Sequence, residues 1–363
     1  MRNHSSSGYL CLRKLLFNTM MRKFRTFVSG IVLLGAPLAA QQVAPAQPGS
    51  AQSSSSTFTD ARKLMKDGKL DEAIKELHAV ESRDPETKGL PLELGTAYYR
   101  KNDFTQAIEY LKKANSADPA NDEAVQMLGL AYFRGGHPAE AIPFLEKVQG
   151  WYARANVDAA YVLGIAYIQT KNYDQARKSF GKMFDVPGDS AAGYLFTARM
   201  LLRQEYDPVA EEYAQKAVTL DPKLPLAHFL LGELFLYKSR IPEAIGEFQK
   251  ELAINPANAA TYYKLADAYS RIQKFEEADR LLQRSIWLDA TSTGPFILRG
   301  KVLEKKGEFD LAVVALQRAA SMDPNNPMTH QLLGQAYRSV GKKEDAEREL
   351  KLAEQLQTSQ SLR

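Results

Sequence analysis

Residues 94–119 read LGTAYYRKNDFTQAIEYLKKANSADP, and this stretch decides the fold. Leu94 and Tyr98 stand at helical spacing, and so do Ala107, Leu111 and Ala114. Two amphipathic helices are therefore expected. The polar run Lys101-Asn102-Asp103 separates them as a short turn. Asp118-Pro119 closes the second helix, because proline cannot continue it and restricts the residue before it.

Working outward, the same positions recur along the chain. Nine alanines fall in register: Ala73, Ala107, Ala141, Ala176, Ala210, Ala244, Ala278, Ala312 and Ala346. Their spacing is 34 residues, with a single interval of 35 between Ala141 and Ala176. Twelve residues before each stands a small residue: Ala61, Gly95, Gly129, Gly164, Ala198, Gly232, Ala266, Gly300 or Gly334. Three residues after that comes a large apolar residue or a tyrosine, from Leu64 and Tyr98 to Leu303 and Tyr337. Each unit is a helical hairpin whose small residues mark where its two helices cross closely. A hairpin of this size cannot bury both faces alone, so stacked neighbours complete its core.

The pattern resembles the tetratricopeptide repeat, which carries Leu-Gly-x2-Tyr, Ala-x3-Phe and a closing Pro at this period. LGTAY at 94–98, LGLAY at 128–132, LGIAY at 163–167 and LGQAY at 333–337 carry the likeness, over about residues 54–357. The family's tryptophan position is never Trp here; it holds Pro91, Val125, Ala160, Tyr194, His228, Tyr262, Phe296 and His330. The resemblance implies an all-α, right-handed superhelical solenoid of about nine helical hairpins. It also implies a concave groove lined by the first helices. Mapped onto this chain, the groove positions include Tyr99, Arg100, Phe133, Arg134, Tyr161, Arg199, Arg203, Phe229, Tyr237, Tyr263 and Arg271. Phe58, Arg62, Lys301 and Lys305 belong to the same set. Over all nine repeats these positions hold ten Lys or Arg against five Asp or Glu, with seven aromatics among them. Arginine forks take carboxylates and aromatics supply apolar area, so an extended, acidic protein segment is the expected partner. The residues of the family's clamp for a C-terminal carboxylate are missing: Phe58 and Arg62, Leu92 and Thr96, Gln126 and Leu130 stand at the positions inspected.

Outside the repeats the sequence changes character. Residues 1–40 hold six cations, Arg2, Arg13, Lys14, Arg22, Lys23 and Arg25, and no Asp or Glu. Arg22 to Arg25 followed by the apolar run Phe27 to Ala40 reads as a secretory signal, with cleavage after Ala40 preferred to cleavage after Ala46. The start is Met1, or else Met20 or Met21. The alternative is an uncleaved anchor, although the run is shorter than a spanning helix requires. Residues 41–56 are an uncharged Gln/Pro/Ser linker, residues 57–357 the repeat array, and residues 358–363 a C-terminal tail. The whole chain has 47 basic and 43 acidic residues; without the six leader cations the balance becomes 41 to 43. Cys11, the one cysteine, excludes an intramolecular disulfide.

No phosphate-binding loop, zinc-protease helix or nucleophile elbow occurs, so a non-catalytic scaffold or adaptor of the cell envelope is expected, periplasmic or secreted. No cofactor or metal is expected; His228 and His330 read as packing residues at the tryptophan position. Export and the slightly acidic mature balance disfavour nucleic acid. An envelope polymer or polysaccharide is the alternative partner. The last helix either caps itself through Arg348, Lys351 and Gln355 or is covered by self-association.

Overall fold

The computed structural model describes residues 57–151, 157–204 and 207–361. The leader, the linker, Cys11 and the extra residue near 150–156 fall wholly or largely outside them. Among the described residues there are eighteen α-helices and no strand. They are α1 (Thr59–Lys66), α2 (Leu70–Arg83), α3 (Leu90–Lys101), α4 (Phe104–Ala117), α5 (Asp122–Arg134) and α6 (Pro138–Trp151). Then follow α7 (Val157–Gln169), α8 (Tyr173–Phe184), α9 (Ala191–Arg203), α10 (Asp207–Leu220), α11 (Ala227–Tyr237) and α12 (Ile241–Ile254). The last are α13 (Ala259–Arg271), α14 (Phe275–Leu288), α15 (Thr293–Lys306), α16 (Phe309–Met322), α17 (Pro327–Ser339) and α18 (Lys343–Ser361). Helix α18 runs through Ser361, so residues 358–361 are helical.

Among the described residues, eight hairpin turns share one geometry. The residue five before the register alanine takes a left-handed conformation: Gly68, Asn102, Gly136, Lys171, Ser239, Gln273, Gly307 and Gly341. The next N–H then bonds back to the carbonyl of the Leu/Tyr/Phe position, as in Asp103 N–H to Tyr98 O at 3.0 Å and Lys274 N–H to Tyr269 O at 3.0 Å. This is the six-residue closing bond of a Schellman turn, and it satisfies a carbonyl the helix end leaves open. Lys171, Ser239 and Gln273 adopt this φ without being glycine, so the helix-ending bond rather than residue type dictates the turn.

All nine register alanines are buried to 1% exposure or less. The small residue twelve before them faces a side chain four after them. A Cβ on Gly95 would lie 2.5 Å from Leu111 Cγ, and one on Gly232 would lie 2.6 Å from the Phe248 ring. The glycines therefore make room for a large side chain of the second helix, which fills the crossing.

The chain divides into two compact units. Unit 1 runs to Ala166 and includes Met183–Asp185; unit 2 comprises Tyr167–Lys182 and Val186 onward. Inside each, second helices pack on the first helix of the next hairpin, as α2 on α3 and α4 on α5 in unit 1, and α10 on α11, α12 on α13, α14 on α15 and α16 on α17 in unit 2. First helices also touch one another: α3 with α5 in unit 1, and α9, α11, α13, α15 and α17 in succession in unit 2. Cross-hairpin hydrogen bonds repeat at a spacing of 20 residues. His78 Nε2 meets Tyr98 Oη at 2.8 Å, and Gln317 Nε2 donates to Tyr337 Oη at 2.7 Å.

Candidate partner-binding surface

The first-helix face was the expected groove, and the two units use it differently. In unit 1 two of the cations, Arg134 and Arg100, fold back onto the preceding hairpin. Arg134 Nη2 donates to Asn102 Oδ1 at 2.7 Å, and its guanidinium lies 5.1 Å from the Tyr99 ring and 4.8 Å from the Phe104 ring. Arg100 Nη1 reaches Met65 O, at the end of α1, at 3.5 Å. Both arginines remain exposed, while Tyr99, Phe133 and Tyr161 are half-buried. Arg62 Nε donates to buried Glu93 at 2.8 Å. The Glu123 carboxyl is pushed up, first by the protein packed around it and then by Glu93, although the residue as a whole is exposed.

In unit 2 the face is more open. Arg203 and Arg271 are exposed, and Tyr237 is 70% exposed. Arg199 is half-buried; burial pulls its guanidinium down from its ordinary value, Glu233 opposes this and Arg203 adds to it. Glu233 also takes Lys264 Nζ at 3.1 Å, and Arg271 pairs with Asp267 of its own helix at 3.0 Å. Tyr263 is half-buried against the bare backbone of Gly294, and burial raises its phenol. Lys305 is exposed, and Lys301 Nζ lies 3.8 Å from the sulfur of Met328, itself 55% exposed.

Two expectations are corrected. Phe229 is not on the groove: it is 7% exposed and its ring centroid lies 6.0 Å from that of Phe248. An aromatic pair with the ring that fills the Gly232 crossing holds it in the core. Phe58 is likewise 1% exposed, against Gly89. The cationic excess at the groove positions is also partly compensated, because Glu93 takes up Arg62 and Asp267 takes up Arg271. Lys264 and Met328 were missed. Lys264 lies outside the mapped positions, and only its ion pair with Glu233 brings it to this face.

The histidines are built into packing. His228 and His330 are each 5% exposed. In each, Nδ1 meets a glutamate of the paired helix, Glu247 at 2.5 Å and Glu349 at 2.7 Å. Nε2 meets a loop proline carbonyl, Pro222 O at 3.1 Å and Pro324 O at 3.0 Å. A carbonyl only accepts, so Nε2 carries a hydrogen. Tyr262 reaches Pro256 O in the same way at 3.3 Å. Nearby, Glu251 is fully buried and accepts the N–H of Leu226 at 3.0 Å, anchoring the start of α11. Burial raises its carboxyl, with Leu226 and Phe229 N–H groups and His228 opposing.

Stacked helical hairpins with a polar, exposed first-helix face define a helical-repeat interaction scaffold. Tetratricopeptide repeat family models match residues 64–128, 161–225 with 208–259, 261–295 and 296–326, together more than half the chain. The model of anaphase-promoting complex, cyclosome, subunit 3 matches residues 101–183. Anaphase-promoting complex subunit 3 of Schizosaccharomyces pombe is 24% identical over 185 residues, 50% of this chain and 27% of that protein. The Hsp70-Hsp90 organizing protein of Triticum aestivum is 25% identical over 209 residues, 47% of this chain and 36% of that protein. The chain thus spans little more than a third, at most, of these two relatives' length. The crystal structure of MamA, at TM-score 0.43 and 23% identity, covers 46% of this chain and 97% of that one. The chain belongs to the tetratricopeptide repeat family, and its general role is that of a protein-interaction scaffold.

Proposed function

We propose that the chain holds an extended, acidic segment of a partner protein on the first-helix face of unit 2, in the cell envelope, without catalysing a reaction. One observation carries the reading: α9, α11, α13, α15 and α17 touch in succession, and Arg203, Tyr237, Arg271 and Lys305 stand exposed on them. A preformed face of this kind binds without first ordering itself, which lowers the entropic cost of association. Its cations favour carboxylates, and the tyrosine offers apolar area at low entropy cost. The cationic, then apolar, residues 22–40 support export.

Site-directed photo-crosslinking tests the surface. A photoreactive residue at Tyr237 is expected to capture one partner polypeptide, and the same residue at Arg280 on second helix α14 is not. Capture from position 280 alone, or equally from both, contradicts the assignment. Export is tested separately: the mature protein is expected in the envelope fraction, beginning at Gln41. A cytosolic chain that retains residues 1–40 overturns that part.

A further inference from the structure

We propose, resting on the reading above, that unit 2 binds its partner segment as a polyproline II helix read at every third residue. Acidic side chains face Arg203, Arg271 and Lys305, and an apolar side chain faces Tyr237. These four residues share one repeat position, spaced 34 residues apart, at the ends of first helices α9, α11, α13 and α15. Each of those helices touches the next. Helices in contact have axes about 8–10 Å apart. A polyproline II segment has three residues per turn and a rise of about 3.1 Å, so it returns the same side every 9 Å or so. A β-strand alternates sides every residue and would turn every second rung away. The ladder period therefore matches polyproline II and not a strand.

The charges restrict the register further. One helical turn before the ledge lie Arg199, Glu233, Asp267 and Lys301. Glu233 sits between Arg199 and Lys264, and Asp267 pairs with Arg271, so this inner row is internally balanced. A balanced row offers an acidic segment little net attraction, which leaves its acids to the outer ledge. Arg271 spends Nε and Nη2 on Asp267, fewer donors than the five its guanidinium carries. The tyrosine interrupts the cations once, which fixes both the position of the apolar residue and the direction of the segment.

The test uses the full chain and four fluorescein-labelled decapeptides of identical composition, read by anisotropy at low salt. One has Glu at positions 1, 7 and 10 with Leu at 4. A second has the reversed order, Glu at 1, 4 and 10 with Leu at 7. A third alternates its Glu residues as a strand would need, and the fourth clusters them. Proline and serine fill the remaining places. One of the first two is expected to bind at least about tenfold tighter than the other three, a difference of the size a few exposed ion pairs supply. Tyr237→Ala is expected to remove the preference between the two orders. Equal affinity of all four overturns the register while leaving an acidic segment as the partner. Tighter binding of the alternating peptide overturns the polyproline II geometry. No binding by any of them overturns this inference and the acidic reading together.

Discussion

Units 1 and 2 repeat one sequence pattern but spend its side chains differently. At one repeat position near the end of the first helix, unit 1 places Arg134 against Tyr99, Phe104 and Asn102, and Arg100 against the end of α1. Those cations tie hairpin to hairpin. Unit 2 places Arg203, Tyr237, Arg271 and Lys305 at the same position, all exposed. The tryptophan position shows the reverse. It is Pro91, Val125 or Ala160 in unit 1, without a side-chain donor, whereas in unit 2 three of its five occupants, His228, Tyr262 and His330 but not Tyr194 or Phe296, staple the loop proline carbonyls. In α11 and α13 the polar tie lies at the helix start, and Tyr237 and Arg271 at the helix end stand exposed.

The largest effect expected from this contrast concerns backbone packing. In unit 2, a Cβ on Gly193 would sit 2.2 Å from Gly188 O, a backbone atom that no rotamer change can move. In unit 1, a Cβ on Gly95 meets the Leu111 side chain most closely, at 2.5 Å, and its nearest backbone atom, Leu111 N, is at 3.2 Å. Gly193→Ala is expected to cost on the order of 3 kcal/mol and Gly95→Ala about 1 kcal/mol, measured by denaturant unfolding. Equal costs would remove this distinction. Next comes the histidine staple. His228→Ala leaves Pro222 O without this partner and Glu247 with Lys250. A loss of about 1–3 kcal/mol is expected, and a similar one for His330→Ala. A neutral result in both would mean that the staples contribute nothing.

The smallest effect is a pH slope belonging to unit 2. Burial raises the Glu251 carboxyl above 4.5, so the folded state holds this proton where the unfolded chain has lost it. The stabilisation from Glu251 is full below about pH 4.5 and is lost as pH climbs through the raised folded value. Glu251→Gln should therefore flatten the decline in stability just above pH 4.5. An unchanged slope would assign the decline elsewhere, for example to Glu123 of unit 1, which has the same sign.

The hairpins were legible because their packing depends on size at fixed spacing. A glycine facing a leucine or phenylalanine, and an alanine with no exposed surface, leave the same mark in every repeat. The left-handed turns were less legible. At Lys171, Ser239 and Gln273 the conformation comes from a backbone bond across the turn, which no residue type announces. The binding face was legible only as a list of positions. Whether a cation there points to a partner or onto the previous hairpin depends on rings and amides 30 or more residues away, such as Asn102 and Tyr99 for Arg134. Phe229 was misplaced for a similar reason: its destination is set by Phe248 across the hairpin.

The central claim is that the shared position binds in unit 2 and only packs in unit 1. The most direct measurement is the affinity of the tightest acidic peptide for Arg203→Glu and for Arg134→Glu, side by side at low salt. Arg203→Glu is expected to weaken binding at least about tenfold, and Arg134→Glu to leave it within about twofold. Equal losses from the two reversals, or a larger loss from Arg134→Glu, would contradict the account.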